Sequence, residues 1–195
     1  TDTKRAKRLF NGNDVEPDEY PFTVSILLNN THICVGITIG EKHILTAAHC
    51  FGNLPLVALA NLVVRSGSIF YNSGGNLHSV KKIIYHREYR IGDTTSPNDI
   101  AILELNNPIT LDDHCKIISL SSTFVQTGAI ATVIGWGHTE SLRKTNPSLK
   151  QLTLTILDPL TCQAYMPYTM YTHQICAIGF LNQGTCVGDS GGPLV

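Results

Sequence analysis

Short runs of β-branched and aliphatic residues, separated by clusters of turn-forming residues, recur along the whole chain. Two such clusters are NSGGN at residues 72–76 and SPN at residues 96–98. Short runs bounded by turn residues predict β-strands, and their repetition favours an all-β barrel or sandwich. The predicted strands span residues 23–28, 43–47, 62–65, 80–85, 100–105, 129–134 and 152–157.

One helix is predicted, beginning at Asp158-Pro159 and running through about Ala164. Asp is a good N-cap because its carboxylate accepts a hydrogen bond from a free backbone amide, and Pro suits the first helical position. We therefore expect a low helical content.

Composition and charge exclude several classes of partner. The chain has 195 residues, of which 43% are hydrophobic and 15% charged, and its formal net charge is -1. This composition can supply a substantial core but no broad basic face for nucleic acid or anionic lipid. The longest apolar stretch, residues 54–64, is too short to span a bilayer, which takes about 20 residues. We expect neither nucleic acid nor a membrane as a partner.

The six cysteines indicate the compartment in which the protein works. None has the Cys-x-x-Cys spacing of a zinc ribbon, so a disulfide framework outside the cytosol explains them better. Asn29-Asn30-Thr31 is a glycosylation sequon, which adds weak support. We therefore expect a secreted, extracellular protein. The cysteines are Cys34, Cys50, Cys115, Cys162, Cys176 and Cys186.

The hexapeptide GDSGGP at residues 188–193 is the most informative stretch for chemistry. Glycines on both sides of Ser190 let backbone amides approach a reacting carbonyl, which suits a nucleophile with oxyanion donors beside it. Alone, the sequence also fits the nucleophile elbow of α/β-hydrolases or a simple glycine-rich turn. An α/β-hydrolase requires an acid and a histidine after the serine, and the five residues after Ser190 contain neither.

Two upstream motifs supply the missing partners. LTAAHC at residues 45–50 contains His49, and SPNDIAIL at residues 96–103 places Asp99 before an apolar strand. Alone, His49 could be a packed core histidine and Asp99 a turn residue. Together with Ser190, the order histidine, aspartate, serine favours a catalytic site.

This order and the three surrounding sequences resemble the trypsin/chymotrypsin family of serine endopeptidases over residues 9–195, and Gly135-Trp136-Gly137 is similar to a further family landmark. The resemblance implies an all-β fold of two six-stranded antiparallel β-barrels, with the second barrel incomplete at the C-terminus. Residues 1–8 would be the remnant of a propeptide, and residues 9–195 a C-terminally truncated protease domain. We therefore expect that this chain alone does not turn over peptides.

The same resemblance assigns catalytic roles. Ser190 would attack the scissile carbonyl, His49 would take and return the proton, and a buried Asp99 would orient the imidazole. The backbone amides of Gly188 and Ser190 would hold the oxyanion. The alternative from a different class is a catalytically silent homologue that uses the fold as a binding module.

Activation and specificity residues are also implied. LFNG at residues 9–12 is similar to the start of mature relatives, so cleavage between Arg8 and Leu9 would free an amino group that pairs with Asp189. Gly184 lies where trypsins have an acid at the base of the specificity pocket, and Val187 lies at the rim. A neutral pocket favours large apolar side chains before the scissile bond, because a buried cation would lack a partner. An elastase-like preference and a basic or mixed preference remain open.

Disulfides and partners complete the expectations. The resemblance implies the pairs Cys34–Cys50 and Cys162–Cys176, places the partner of Cys186 beyond the chain, and gives Cys115 no partner. Residues 66–79, which carry calcium-binding carboxylates in several trypsins, contain no Asp or Glu, so we expect no metal and no cofactor. The expected partners are protein or peptide substrates, an activating protease specific for basic residues, and possible protein inhibitors.

Overall fold

The computed structural model describes residues 12–52, 54–91, 97–137, 147–167, 169–180 and 183–195. The predicted activation residues Arg8 and Leu9, and with them the predicted propeptide, lie outside the described residues. None of the helices in these ranges is long and apolar enough to cross a membrane. The described strands are β1 (Asn13–Asp14), β2 (Thr23–Leu28), β3 (Thr31–Gly40), β4 (His43–Thr46), β5 (Leu62–Ser66), β6 (Asn76–Tyr85), β7 (Ala101–Leu105), β8 (Ile130–Gly135), β9 (Lys150–Leu157) and β10 (Cys176–Ile178).

Six of these strands form a closed antiparallel barrel in the order β2-β3-β4-β7-β6-β5. β5 (LVVRS) and β7 (AILEL) bury every second side chain, as expected for strands whose one face lines a core. The barrel core is aliphatic and almost fully buried; it includes Val24, Ile26, Ile44, Leu62, Val64, Leu103 and Leu105.

A second antiparallel sheet has β9 at its centre. β8 pairs along one side of β9, while the short strands β1 and β10 pair with its two ends on the other side. Val35 of β3, in the barrel, packs with Ile134 of β8 and with Trp136, and all three are fully buried. The barrel and the second sheet therefore share an apolar interface.

The all-β prediction is confirmed, with one closed six-stranded barrel. The predicted helix is also confirmed: α1 spans Pro159–Tyr165, and the Asp158 side chain accepts a hydrogen bond from Thr161 N at 2.9 Å. Each of the seven predicted strands corresponds to an observed one.

The longest strand that the sequence did not predict is β3. Its ten residues include Gly36 and Gly40 and lack a clear period of two. A Cβ atom at Gly36 would lie 2.5 Å from Ile44 Cγ2 and 3.1 Å from Val24 Cγ2. Glycine is therefore required by close strand packing, although a glycine in a sequence normally weakens a strand prediction.

Candidate active site

His49 lies on a short 3-10 helix, Ala48–Phe51, that directly follows β4. Ala48 and Phe51 anchor this turn because both are buried in the barrel core. A disulfide from Cys50 to Cys34 on β3 ties the same turn to the barrel wall. The His49 side chain is left on the outer surface, 49% exposed.

Asp99 is brought to His49 by the pairing of β4 with β7, in which Thr46 lies opposite Ala101. His49 Nδ1 lies 2.6 Å from Asp99 Oδ2, and the His49 backbone amide donates to Asp99 Oδ1 at 2.7 Å. A carboxylate only accepts, so Nδ1 carries the proton and the other ring nitrogen, Nε2, has a free lone pair. The arrangement can therefore supply an oriented general base.

The two groups shift each other's pKa values. The hydrogen bond to Asp99 raises the pKa of His49 above its usual 6.5, although partial burial opposes this change. Partial burial alone would raise the pKa of Asp99, but the hydrogen bonds from His49 outweigh it and the pKa is lowered. Asp99 is therefore an anion near neutral pH.

Asp99 is not buried, contrary to the sequence expectation. Its side chain is 35% exposed. It lines an open groove of about 450 Å³ together with His86, Pro97, Ile100 and His173. Solvent can enter this groove, so in this structure the hydrogen bonds to His49, rather than exclusion of water, hold the carboxylate in position.

Ser190 lies in a segment clamped between the barrel and the second sheet. Its carbonyl accepts a hydrogen bond from Val35 N of β3 at 2.8 Å. Gly191 has φ +79°, and a Cβ atom there would collide with Thr46 and Val35. On the other side, a Cβ atom at Gly192 would lie 2.7 Å from the Ile134 carbonyl of β8. The glycines after the serine are thus required by packing.

Ser190 and His49 are not hydrogen-bonded to each other in this structure. Within the described part of the chain, Asp99 is the hydrogen-bond partner of the His49 ring. Bonds between a nucleophile and its base often tighten only when substrate is bound. The structure therefore joins His49 to Asp99 by a hydrogen bond, and among the described residues no such bond joins His49 to Ser190.

Gly188 has φ +98° and is buried, and its carbonyl lies 2.8 Å from His32 Nε2. The other His32 nitrogen, Nδ1, lies 2.8 Å from Ser25 Oγ, and both side chains are buried. Because a carbonyl only accepts, Nε2 carries a proton; in the neutral ring, Nδ1 accepts from the serine hydroxyl. This network fixes the backbone beside Ser190.

Sequence reasoning missed His32 and Ser25. Their signal is a polar side chain within a largely apolar strand, and Thr23, Thr31 and Thr38 give the same signal in these two strands. It is therefore too weak to identify a site without the fold.

Asp189 is almost completely buried. Its Oδ1 accepts a hydrogen bond from Gly137 N at 2.7 Å and its Oδ2 from Cys186 N at 2.8 Å. Burial raises the pKa of Asp189 to about 6, and the two amide donors only partly oppose this effect. A Cβ atom at Gly135 or Gly137 would collide with the carboxylate, which explains the two glycines around Trp136.

The predicted specificity residues lie close to Ser190 along the chain. Gly184 is half-buried, while Val187 is exposed. A glycine offers no charge to a substrate side chain, and Val187 offers only apolar surface. These two positions therefore provide no counter-ion for Lys or Arg.

Two disulfides are present among the described cysteines, Cys34–Cys50 and Cys162–Cys176, the pairs that the resemblance implies. Cys115 and Cys186 are free thiols in this structure. Burial raises the pKa of the Cys115 thiol, so it is a poor nucleophile.

Two positions bear on metal binding. Among the described residues, Cys34, His49 and Cys50 form the one close group of potential ligands, but both sulfurs belong to the disulfide. In the loop that follows β5, the Arg65 guanidinium donates to the carbonyls of Tyr71, at 2.9 Å, and Gly74. A fixed side-chain cation thus contacts this loop.

Comparisons with known proteins identify the family of this chain. The sequence model of the family described as Trypsin matches residues 9–195. Trypsin 5G1 of Aedes aegypti is 34% identical over 96% of this chain and 71% of its own length. Trypsin epsilon of Drosophila erecta is also 34% identical, over 96% of this chain and 73% of its own length. Among solved structures, neuropsin, a serine protease expressed in the limbic system of mouse brain, is 26% identical with a TM-score of 0.86, covering 95% of this chain and 82% of the other.

Proposed function

Because this chain belongs to the trypsin family of serine endopeptidases, we propose that it cleaves peptide bonds with Ser190 as nucleophile, His49 as general base and Asp99 as the orienting carboxylate. The observation that carries this assignment is the 2.6 Å contact between His49 Nδ1 and Asp99 Oδ2. It fixes the ring tautomer and leaves the basic lone pair on Nε2, where a nucleophile requires it.

The chemistry proceeds in two halves. In the first, Ser190 Oγ bonds to the scissile carbonyl carbon while its proton passes to His49 Nε2. His49 then gives this proton to the leaving amine nitrogen, and an acyl-enzyme remains. In the second half, water gives a proton to Nε2 and attacks the ester carbon, and Ser190 recovers its proton. Asp99 stabilises the imidazolium that forms in each half.

We assign the backbone amides of Gly188 and Ser190 as the hydrogen-bond donors to the oxyanion. The buried His32 holds the Gly188 carbonyl, and Val35 holds the Ser190 carbonyl, so the backbone on both sides of Asp189 is constrained. Donors that need no reorganisation during the reaction stabilise developing charge most effectively.

The assignment is tested by peptide hydrolysis at the full encoded length of the protein. Ser190→Ala removes the nucleophile, so turnover should fall to the level left by binding and oxyanion contacts. The matched control is Ser121→Ala, which changes an exposed serine whose hydrogen bonds, within the described part of the chain, go to Thr123 of the same loop; this variant should keep full activity. Equal turnover by wild type and Ser190→Ala would reject the assignment.

We infer further that the protein is made as a zymogen, with residues 1–8 as propeptide remnant and residues 9–195 in the protease domain. Cleavage after Arg8 by a protease specific for basic residues would free the Leu9 amino group. The buried Asp189 carboxylate supports this inference, because burial raises its pKa to about 6 and its hydrogen-bond donors among the described residues are the uncharged amides of Gly137 and Cys186. The ammonium group of Leu9 would supply a positive charge to this carboxylate. Arg8→Gln should block activation, and amino-terminal sequencing of an active form that still carries Arg8 would contradict it.

The substrate preference follows from Gly184 and Val187. We propose cleavage after large apolar residues, since burial of a Phe side chain contributes roughly 1.5–3 kcal/mol, whereas a buried Lys or Arg would lack a partner. A peptide library tests this preference: Gly184→Asp should shift cleavage toward Arg, and a wild-type preference for Arg over Phe, Tyr and Leu would contradict it. We also infer secretion, supported by the two disulfides, and protein inhibitors as possible partners.

A further inference from the structure

The turn between β2 and β3 carries an acceptor sequence for N-linked glycosylation, Asn29-Asn30-Thr31. The chain has one other Asn-x-Ser/Thr triplet, at residues 146–148, and the proline at its middle position excludes it as an acceptor. An N-linked glycan is bulky and hydrophilic, so a folded protein can carry it only where the asparagine faces solvent. The structure of this turn therefore decides whether Asn29 can be modified.

The backbone places Asn29 at the tip of the hairpin. Leu28 pairs with Thr31 across the two strands, so the turn consists of Asn29 and Asn30 alone. Their φ values are +49° and +61°, and positive φ at both central residues is what a type I′ turn requires. Asparagine and glycine favour these positions, so the turn itself explains why an asparagine stands here.

All three residues of the acceptor sequence are exposed: Asn29, Asn30 and Thr31. The turn is held by its backbone, since the Asn29 amide donates to the Asn61 carbonyl at 3.2 Å. This hydrogen bond uses the main chain and leaves the exposed Asn29 side chain in solvent. A sugar on the side-chain nitrogen therefore needs no rearrangement of the hairpin.

This turn lies at the end of the barrel that carries His49. β3 begins at the turn, and β4 is antiparallel to β3, so β4 runs back toward the turn. Beyond β4 the chain continues through His49 to Cys50, whose Cα atom is 6.3 Å from that of Cys34, and Cys34 is only three residues after Thr31. A glycan on Asn29 would therefore border the face on which His49 is exposed.

We propose that Asn29 carries an N-linked glycan at this end of the barrel. The donor is a lipid-linked oligosaccharide of the secretory pathway, so the proposal rests on the secretion proposed above. The anomeric carbon of the oligosaccharide forms a bond to Asn29 Nδ2, and its bond to the phosphate oxygen breaks. The amide nitrogen loses one proton, and the lipid diphosphate leaves.

Expression of the full encoded protein in mammalian cells tests this proposal. Wild type recovered from the medium should move faster on gel electrophoresis after treatment with peptide N-glycosidase. This enzyme leaves an aspartate where the glycosylated asparagine was, so mass spectrometry of the treated protein should find that change at Asn29. Asn29→Gly and Thr31→Val should each lose the shift. Glycine tolerates positive φ and valine suits an exposed strand position, so both variants should fold.

Three controls separate loss of the acceptor from other effects. Asn30→Gly and Thr31→Ser keep the acceptor sequence and should keep the shift. Ser121→Asn, made in the Asn29→Gly variant, creates an acceptor sequence in another exposed loop and should restore one glycan. Secreted wild type without a glycan on Asn29 would overturn the proposal and leave the proposed secretion intact. Absence of wild type from the medium would contradict secretion itself and overturn both. None of these readouts depends on peptide hydrolysis.

Discussion

The closed barrel and the second sheet differ in how fully their apolar side chains are covered. Among the described residues, the barrel core contains fourteen buried side chains, whereas the second sheet has its own cluster of three. In that sheet, Ile130 of β8 is 68% exposed.

The proposed catalytic residues are divided between these two regions. His49 and Asp99 both belong to the barrel, and a hydrogen bond joins them. Ser190 lies where the barrel meets the second sheet, and among the described residues no hydrogen bond joins it to the His49 ring. The position of the His49 base is therefore determined within the closed barrel. The position of the Ser190 nucleophile depends on how the barrel packs against the second sheet.

The largest expected effect is on the barrel side of the site. Asp99→Asn should lower kcat by about 10⁴-fold, because an amide can donate to His49 Nδ1 and stabilise the wrong tautomer. In wild type, kcat/KM should be lost as pH falls through a His49 pKa above 6.5, because Asp99 raises it and the protonated ring cannot act as a base.

In Asp99→Asn, the midpoint of this acid limb should move to lower pH. Asp113→Asn, in which an exposed acid is replaced, is the control and should keep the wild-type profile. A variant with wild-type kcat would remove Asp99 from the mechanism.

The next effect is on the interface between the barrel and the second sheet. Trp136 is fully buried, and its Nε1 donates to the Ile69 carbonyl at 2.8 Å. Trp136→Ala should lower the free energy of unfolding by about 3–5 kcal/mol, as measured by urea denaturation. Phe124→Ala, at a 100% exposed aromatic, should change it by less than about 0.5 kcal/mol. Similar losses in both variants would mean that the interface does not hold the two units together.

A smaller effect concerns the buried acid beside the nucleophile. The pKa of Asp189 is raised to about 6 from about 3.9 in the unfolded chain, so the folded state binds the proton more tightly between these values. Stability should therefore be gained as pH falls from 7 to 4 and lost as pH rises through 6. The contribution is about 3 kcal/mol, since one pKa unit corresponds to about 1.4 kcal/mol.

The comparison of wild type with Asp189→Asn isolates this effect. In the uncleaved chain, wild type should gain about 2 kcal/mol relative to the variant between pH 7 and pH 4, and the rest of the difference at still lower pH. After cleavage at Arg8, the new ammonium group should remove or reverse the trend. The same pH dependence before and after cleavage would contradict the proposed pairing of Leu9 with Asp189.

The smallest effect is confined to one barrel loop. Arg65→Met should cost about 1–2 kcal/mol, because it removes the guanidinium that donates to the Tyr71 and Gly74 carbonyls. Since that cation is part of the chain, EDTA should leave the melting temperature of wild type unchanged, and added calcium should not rescue the variant. A fall in melting temperature with EDTA would show that the loop needs a metal.

Some elements of the fold could be predicted because the local sequence pattern agrees with the environment of those residues in the structure. β2, β7 and α1 follow directly from aliphatic runs and from an Asp-Pro helix start. β3 was missed because Gly36 is required by packing against Ile44, which no local pattern reports.

The site also contains residues that the local sequence identifies and residues that only the fold brings together. The motifs around His49, Asp99 and Ser190 could be found because this chemistry restricts the residue types. His32 was missed because its partners, Ser25 and the Gly188 carbonyl, are brought together only by the fold. The expectation of a buried Asp99 was wrong because an open groove runs beside it.

The most direct test of the account is covalent labelling of Ser190 with a fluorophosphonate, using the protein at its full encoded length after cleavage at Arg8. Ser190 Oγ would bond to phosphorus, fluoride would leave, and His49 would take the hydroxyl proton. The account predicts one label per molecule on Ser190, and its loss in both Ser190→Ala and His49→Gln. A folded, cleaved protein without any label at Ser190 would contradict the catalytic assignment and support a silent homologue that uses the same fold for binding.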